Sequence, residues 1–518
     1  MKLERTKNAT KNIAAGLFLK AYQMIMPFLI RTAMIYFMGV QYLGLNSLFA
    51  SVLQVLNLAE LGVGAAMIFS MYKPVAEDDP VTICALMKLY RRYYRIIGLV
   101  IGAVGMLLTP LIPKLISGTV PDELNIYILY WLNLGATVLS YWLFAYKHCL
   151  LQAHQRADII SMMTVAATTV QYAGQFLVLV FIRNYYVYAV VTLASVALIN
   201  VAIGIAATRM FPQYKPQGRL PREEEKKINQ KIRDLFTSKL GHVVDKSADS
   251  IVISAFLGLT ALAVYQNYFF ILTSITGIVE IIFSAIMAGL GNSFVTETSE
   301  KNYKDLQKFT FLFLWLAGVC ACCLLGMYQP FMQIWVGPEL MLDFGAVICF
   351  AVYFYCYSLD RLLNVYKDAA GLWHQDRFRP LTAAIVNLSL NLLCVKHLGI
   401  YGVLLSTVAA QVFVSIPWVL RNLFGLMFGR EKMGGYIRQI AGYALLSIAA
   451  GAAVRFICMQ IHTGLWGTFL LCALVSTAVP NVLYLAALHR HPQFGPAIRL
   501  VDHATKRKLK LEQRFLRG

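Results

Sequence analysis

Charged residues are scarce in this chain of 518 residues. Asp, Glu, Lys and Arg together make up 14% of the sequence, whereas soluble proteins average about 25%. Hydrophobic residues reach 58%, and the mean hydropathy is +0.62. A water-soluble fold has too little interior to cover so much apolar surface. The composition therefore excludes an ordinary soluble protein and indicates an integral membrane protein.

The sequence also lacks a cysteine framework. Its ten cysteines lie mostly within or at the ends of hydrophobic runs, and no outer loop carries a pair, which excludes a disulfide scaffold. Cys320, Cys322 and Cys323 are close together, but in such a run Cys packs as a small apolar residue. We therefore expect no metal site and no cofactor, apart from H⁺ or Na⁺ as a coupling ion.

Long hydrophobic runs recur along the whole chain. A bilayer core about 30 Å thick needs roughly 20 apolar residues per helix, and by this criterion the sequence predicts an all-α protein with about fourteen transmembrane helices. We place the spans at residues 13–38, 44–70, 96–116, 125–146, 158–182, 186–208, 240–258, 262–290, 309–335, 343–366, 380–395, 402–424, 437–458 and 466–488.

The cations lie almost entirely on one side of these spans. Thirty-eight of the 46 Lys and Arg fall in the two termini and alternate loops, whereas the opposite side has only Lys114, Arg183, Lys396 and Arg455. Because Lys and Arg are retained on the cytoplasmic side, both termini are predicted to be cytoplasmic. The net charge of +20 is thus a topology signal spread over many loops, and we expect no nucleic-acid binding.

A long polar segment divides the chain. We predict an N-lobe of six spans at 1–208, a basic cytoplasmic connector at 209–239, a C-lobe at 240–424, a terminal pair of spans at 425–489 and a basic tail at 490–518. The connector is predicted to contain an amphipathic helix over 222–236. A weak repeat relates the lobes: the outer turns at Gly39 and Gly258 are 219 residues apart, and a lone glutamate follows each, at Glu60 and Glu280. Such copies are related by an axis along the membrane normal.

Nine ionisable residues lie inside the predicted spans. Each would cost about 3 kcal/mol if it faced lipid, so we expect them to face one another or a watery cavity. The candidate substrate-binding cations are Arg31, Lys20, Arg361 and Lys246, and the candidate coupling or gating acids are Glu60, Asp249, Glu280, Asp360 and Asp245. For each residue the sequence leaves two roles open, contact with a ligand or an ion pair between helices.

Two of these cations share one face of the first span. Lys20 and Arg31 are 11 residues apart, which places them about 20° apart around a helix and about 16 Å apart along it. Arg31 has no carboxylate within four residues along the chain. Together they suit an anion that crosses the bilayer, and Arg31 is the strongest candidate for a ligand contact.

Three stretches resemble one known family. Residues 57–79 (NLAELGVGAAMIFSMYKPVAEDD), 231–258 (KIRDLFTSKLGHVVDKSADSIVISAFLG) and 375–407 (QDRFRPLTAAIVNLSLNLLCVKHLGIYGVLLST) resemble the lipid-linked oligosaccharide flippases of the multidrug/oligosaccharidyl-lipid/polysaccharide (MOP) exporter superfamily. The resemblance implies two six-helix lobes plus a terminal pair around a central cavity that opens to each side in turn. It also implies that a cationic cavity receives the pyrophosphate and glycan of an undecaprenyl-linked oligosaccharide.

The resemblance makes a flippase of the bacterial plasma membrane the leading functional hypothesis. We expect a monomeric transporter, not an enzyme, that moves the lipid-linked sugar from the inner to the outer leaflet and works beside polysaccharide-assembly proteins. Two alternatives are a drug/cation antiporter of the same fold, which would need a mainly acidic cavity, and a membrane-embedded glycosyltransferase or polymerase. The short predicted outer loops disfavour the enzyme.

Topology can be tested directly. Reporters fused at Gln217 and at Gly518 should both indicate a cytoplasmic location, because both segments belong to the cation-rich side. A single cysteine introduced by Asp122→Cys should be labelled by an impermeant thiol reagent from outside. Labelling of a cysteine at Gln217 from outside would contradict the six-span N-lobe.

Overall fold

The computed structural model describes residues 5–118, 120–504 and 512. Side chains are described at these positions except at 5–10, 13, 234, 237–239, 242, 245, 246, 284–286, 288, 289, 295, 503 and 504. Over the described residues the backbone is helical or irregular and forms no strand. This is the outcome expected in a bilayer, where a helix satisfies its own backbone hydrogen bonds. The predicted all-α membrane fold is confirmed.

The helices fall into two compact units, Met1–Gln266 and Asn267–Gly518. The first unit contains α1 (Arg5–Phe37), α2 (Val40–Leu56), α3 (Val63–Ala76), α4 (Pro80–Leu108), α5 (Ile126–Trp142), α6 (His148–Ala153), α7 (Ala157–Leu177), α8 (Tyr185–Met210) and the first part of α9 (Arg222–Thr296).

The second unit contains the rest of α9 and the remaining nine helices. These are α10 (Ser299–Trp335), α11 (Phe344–Ala369), α12 (Trp373–Asp376), α13 (Arg379–Leu398), α14 (Ile400–Ala410), α15 (Ile416–Leu423), α16 (Met433–Met459), α17 (Leu465–Leu488) and α18 (Phe494–Ala504). Five-residue π-helical segments continue α7, α14 and α15 at their carboxyl ends.

Eleven helical segments of the described chain are long and apolar enough to cross a membrane, or twelve if the bent pair Ile126–Trp142 and Ala145–Ala153 is one span. The backbone breaks at Gly258 inside α9, where φ is 90° and ψ is 175°, so α9 comprises two helices that are counted once among the eleven. The eleven do not include α1. The count of fourteen therefore stays a prediction, although a multi-pass membrane protein is confirmed.

The second predicted span, 44–70, is not one straight helix. α2 ends at Leu56, a 3₁₀ turn follows at Asn57–Glu60, and α3 begins at Val63. Gly62 between them has φ 87°, and a Cβ there would meet the backbone oxygen of Ile232 on α9 at 2.9 Å. The break follows from glycine's freedom at positive φ, and it places Glu60 in a turn.

The backbone agrees with the predicted repeat at two pairs of turns. Gly39 has φ 112° and ψ 163°, and Gly258 has φ 90° and ψ 175°. Gly118 and Gly337, which the sequence alone did not single out, have φ 82° and 81°. In both pairs the second glycine follows the first by 219 residues. Glycine adopts such angles at little cost, so its recurrence marks equivalent turns in the two halves.

The predicted connector helix is the start of α9, which begins at Arg222. This part of α9 packs within the first unit: Tyr93 donates a hydrogen bond to Asn229 at 2.7 Å, and the Lys231 ammonium lies 4.4 Å from the ring centroid of Phe69. The unit boundary lies after Gln266, inside α9, whereas the sequence placed it in the connector. The predicted domain limits stay a prediction.

The carboxyl-terminal segment has structure that the sequence did not predict. The predicted basic tail includes α18, which packs on α10 within the second unit. The Phe494 ring lies 6.4 Å from the rings of both Phe311 and Trp315, and His491 stacks on Phe311 at 5.5 Å. The first part of the tail is therefore held against a long helix by aromatic contacts.

Gly258 offers a test of the break in α9. Gly258→Ala should lower the stability of the purified protein by about 1–3 kcal/mol, the cost of a Cβ in a sparsely populated φ/ψ region that glycine adopts readily. The new Cβ would also meet the backbone oxygen of Ser117 at 2.8 Å. Thermal unfolding in detergent measures the effect. Gly442→Ala in α16, where nothing lies within 4 Å of a Cβ, is the control and should not destabilise. Equal melting temperatures of Gly258→Ala and wild type would contradict the predicted backbone strain at position 258.

Candidate functional site

Helix α1 of the first unit carries charge of one sign only. Its 33 residues include five basic residues and no acidic residue, and the helix continues through Pro27. Lys20 is exposed and Arg31 is half-buried. Because the helix is unbroken between them, both cations lie on the face predicted from their spacing.

The surroundings of Arg31 are aromatic and hydroxyl-rich. Arg31 interacts electrostatically with Tyr188 of α8, and Tyr188 interacts with Tyr172 of α7. The Tyr172 ring lies 6.1 Å from that of Tyr22 on α1, and the Tyr22 hydroxyl is hydrogen-bonded to Thr169 at 2.7 Å. A phenol can donate a hydrogen bond to an anion. The structure therefore adds neutral donors to the predicted cation.

Sequence reasoning missed the neutral polar groups between α7 and α8. The Ser195 hydroxyl donates to Gln171 at 2.8 Å, and the buried Gln175 amide donates to Thr192 at 2.9 Å. These groups carry no charge, so a search for intramembrane ions passes over them. The spacing of Gln171 and Gln175, one helical turn, was the available signal.

Glu60 lies beside a group of tyrosines in the first unit. Tyr94 donates a hydrogen bond to its Oε1 at 3.2 Å, and Tyr90 donates to the Tyr94 oxygen at 2.5 Å. The ring of Tyr141 meets that of Tyr94 edge-on at 5.3 Å. The predicted acid is thus surrounded by phenols from α4 and α5, which sequence spacing could not show.

The candidate residues of the seventh predicted span, 240–258, are only partly described. Asp249 is buried, and the Tyr265 hydroxyl lies 3.5 Å from its Oδ2. The side chains of Asp245 and Lys246 lie outside the described residues, as does that of His242. The predicted roles of these positions stay predictions.

In the second unit, Glu280 and Arg361 form an ion pair between α9 and α11. The Arg361 Nε donates to Glu280 Oε1 at 2.6 Å, and the Tyr357 hydroxyl donates to the same oxygen at 2.8 Å. Each partner is about a third exposed or less. The structure therefore places Arg361, one of the predicted cavity cations, against an acid that also appeared among the candidates.

Asp360 belongs to a larger buried network in the same unit. The Arg379 guanidinium donates to both carboxylate oxygens of Asp376, at 2.7 and 3.0 Å, and lies 3.6 Å from Asp360. Lys367 donates to Asp376 at 2.9 Å, and Asn364 donates to Asp360 at 2.9 Å. A bidentate Arg–carboxylate contact is among the strongest ion pairs. The network joins α11, α12 and α13.

The predicted spans 343–366 and 380–395 leave a loop between them, on the predicted cytoplasmic side. This loop contains Lys367, Asp376 and Arg379. In the structure each is at least nine-tenths buried. The signal was present in the spacing, because Asp376 and Arg379 stand three residues apart with Pro380 next to them, as at the start of a helix. Their burial depends on α11 and α15, which no local pattern predicts.

The two units therefore hold charge differently. In the second unit the predicted cation and two predicted acids form ion pairs or hydrogen bonds between helices, which suits a structural role. In the first unit, α1 presents cations on a helix without acids, beside tyrosine hydroxyls, which suits an anionic ligand. Among the described residues, no group of three or more His, Cys, Asp or Glu could hold a metal ion.

Comparison with known proteins identifies the fold. No protein-family model and no curated protein matches this sequence. Among solved structures, the lipid II flippase MurJ in an inward closed conformation has a TM-score of 0.64 at 12% identity, covering 92% of this chain and 98% of its own.

Multidrug transporters are also similar. An inward-facing multidrug resistance MATE family transporter of the MOP superfamily has a TM-score of 0.59 at 16% identity, covering 83% of this chain and 99% of its own. A mutant of the Vibrio cholerae MATE transporter VcmN has a TM-score of 0.52 at 13% identity, covering 81% and 98%. At these identities the likeness concerns the fold. The chain has the fold that these solved structures share, and the predicted resemblance is confirmed at that level.

The ion pair of the second unit can be tested by a double-mutant cycle. Glu280→Gln and Arg361→Gln should each lower the melting temperature in detergent, because each leaves a charge in the membrane region without its partner. The double variant should recover part of the loss, with a coupling of about 1 kcal/mol. Tyr357→Phe, which removes only a neutral donor, is the milder control. Strictly additive losses would show that the pair does not hold α9 to α11.

Proposed function

We propose that this protein is a flippase that moves an undecaprenyl-pyrophosphate-linked oligosaccharide from the inner to the outer leaflet by alternating access, for cell-surface polysaccharide assembly. One observation carries the proposal: the half-buried Arg31 stands on a 33-residue helix that contains no acid. An ionisable side chain inside a membrane-spanning helix is costly, and such residues mark substrate paths. A cationic face suits an anionic substrate.

The chemistry of a pyrophosphate fits these residues. Phosphate oxygens accept charge-assisted hydrogen bonds, and a guanidinium offers two parallel donors to them. Tyr188, which interacts electrostatically with Arg31, and Tyr172, which interacts with Tyr188, offer further neutral donors. Lys20, which is exposed about 16 Å along the helix from Arg31, provides a second cation on the same face. The polyprenyl chain would stay in the bilayer.

The comparisons support a lipid-linked substrate without identifying it. MurJ is described as a lipid II flippase, and the similarity covers nearly all of both chains. The MATE neighbours favour a second candidate, a drug/cation antiporter. The observation that favours it is Glu60 among tyrosines, since a carboxylate with aromatic rings is a suitable site for a cation. We prefer the flippase because the acids of the second unit already have basic or amide partners.

The proposal also includes the location of the protein and the ion that drives transport. We place the protein in the bacterial plasma membrane as a monomer with both termini in the cytoplasm, beside polysaccharide-assembly proteins. Glu60 and Asp249 are the proposed coupling or gating acids, with H⁺ or Na⁺ as the coupling ion, because a tyrosine hydroxyl lies beside each carboxylate. The residues of the proposed site do not identify the glycan.

Arg31 provides the decisive test of the proposal. Arg31→Ala should reduce flipping of a lipid-pyrophosphate-linked oligosaccharide in proteoliposomes at least tenfold, because the variant loses a bidentate donor. Arg31→Lys should retain part of the activity, and Lys20→Ala should be affected less, because an exposed cation is better hydrated. The assay measures how fast the labelled glycan becomes accessible to an impermeant reagent.

The matched control is Arg183→Ala. It also removes one guanidinium from the first unit, but at a turn outside the helices, where Arg183 lies 5.8 Å from the ring of Phe37. Wild-type flipping by Arg31→Ala, at equal amounts of reconstituted protein, would remove Arg31 from the substrate path. Transport of an organic cation that survives Arg31→Ala but fails in Glu60→Gln would favour the antiporter.

A further inference from the structure

Four cations form one stripe on helix α4 of the first unit. Lys88, Arg91, Arg92 and Arg95 are spaced i, i+3, i+4 and i+7, which places them on one face within about 11 Å along the helix. All four are exposed. The opposite face of the same stretch, including Leu89, Tyr90 and Tyr94, is buried. The stripe is therefore the outer face of α4.

No acid on α4 itself offsets this charge. The 29 residues of α4 contain no Asp or Glu, and within the described part of the chain none of the four cations forms an ion pair. A like-charged cluster repels itself unless an anion is present. Solvent-exposed cations that serve only solubility or topology need no such concentration on one face.

Helix α10 of the second unit shows the contrasting arrangement. Lys301 pairs with Glu297 at 2.5 Å, and Lys308 pairs with Asp305 at 2.5 Å. Glu300 on the same helix pairs with Lys432 at 2.5 Å. These cations are neutralised by nearby acids, so α10 is an internal comparison for α4.

Aromatic side chains border the stripe. Trp142 of α5 is 46% exposed, and its indole Nε1 donates to the backbone oxygen of Arg95 at 3.3 Å. The Arg91 guanidinium lies 5.8 Å from the ring centroid of Tyr146. Exposed Trp residues concentrate at the level of lipid head groups, which places this end of α4 at the membrane interface.

The same face becomes apolar directly beyond the cations. Leu99 and Met106 follow Arg95 on nearly the same line of the helix, and their side chains are 60% and 50% exposed. Large exposed apolar groups on a transmembrane helix face lipid tails. One continuous face thus presents cations at head-group level and an apolar surface at acyl-chain level.

We propose that Lys88, Arg91, Arg92 and Arg95 form a binding site for the phosphate head group of an anionic phospholipid, whose acyl chains lie along Leu99 and Met106. Charge complementarity requires an anion, and the apolar continuation requires that the anion carry a hydrocarbon tail. A phospholipid such as phosphatidylglycerol meets both needs. In the predicted topology the site faces the cytoplasmic leaflet. It lies on a different helix from Arg31 and does not depend on the flippase proposal.

Binding of phosphatidylglycerol to the purified protein in detergent tests the site. Each cation near a membrane surface contributes about fivefold in affinity for an anionic lipid, so Arg92→Gln/Arg95→Gln should bind at least tenfold more weakly by native mass spectrometry. Arg92→Lys/Arg95→Lys keeps the charge and should stay within threefold of wild type. The control is Lys301→Gln/Lys304→Gln on α10, which also removes two cations and should change binding less than twofold.

Three outcomes would overturn the assignment. Wild-type affinity in Arg92→Gln/Arg95→Gln, with the same monodisperse elution as wild type, would exclude the stripe. An equal loss in the α10 variant would mean general attraction to a basic protein. Displacement of phosphatidylglycerol by a short-chain prenyl pyrophosphate at much lower concentration, lost in the same α4 variant, would assign the site to a pyrophosphate-linked lipid. Equally weak binding of phosphatidylcholine to all variants is the expected baseline.

Discussion

The desolvation of charge is the constraint on which the arrangement of this protein depends. A side-chain charge in the hydrocarbon region costs about 3 kcal/mol or more, so each must meet a partner, water or a ligand. The second unit uses partners: Glu280 meets Arg361, and Asp376 meets both Arg379 and Lys367. The first unit places cations on α1 without an acid on the same helix. That difference between the units is the physical basis of the functional proposal.

Much of the fold could be predicted because hydrophobic length and cation placement are local properties of the sequence. The glycines at 39 and 258 indicated the repeat, and their backbone angles agree with it. The break after Leu56 was less visible, because the surrounding residues are apolar throughout and only Gly62 indicates that the helix stops. The continuity of α9 from Arg222 to the break at Gly258 was also missed, since the polar stretch 222–236 was taken as a separate helix.

The candidate site was predictable in part. Lys20 and Arg31 are recognisable from spacing on one helix, because helical geometry fixes which side chains share a face. The partners of Glu60 and Asp360 were not recognisable, because Tyr94 and Arg379 come from helices that are distant along the chain. Charges near the end of a span are ambiguous in sequence. Their burial depends on how neighbouring helices pack, and local composition does not determine that packing.

The glycine turns at 39 and 258, and those at 118 and 337, bear on how the chain enters the membrane. The sequence predicts that the two copies run in the same direction, and each would then place the same side of its helices in the cytoplasm. On this prediction, each half of the chain carries its own excess of cations on the cytoplasmic side. In the predicted topology, a change in one basic loop therefore meets a second orientation signal further along the chain.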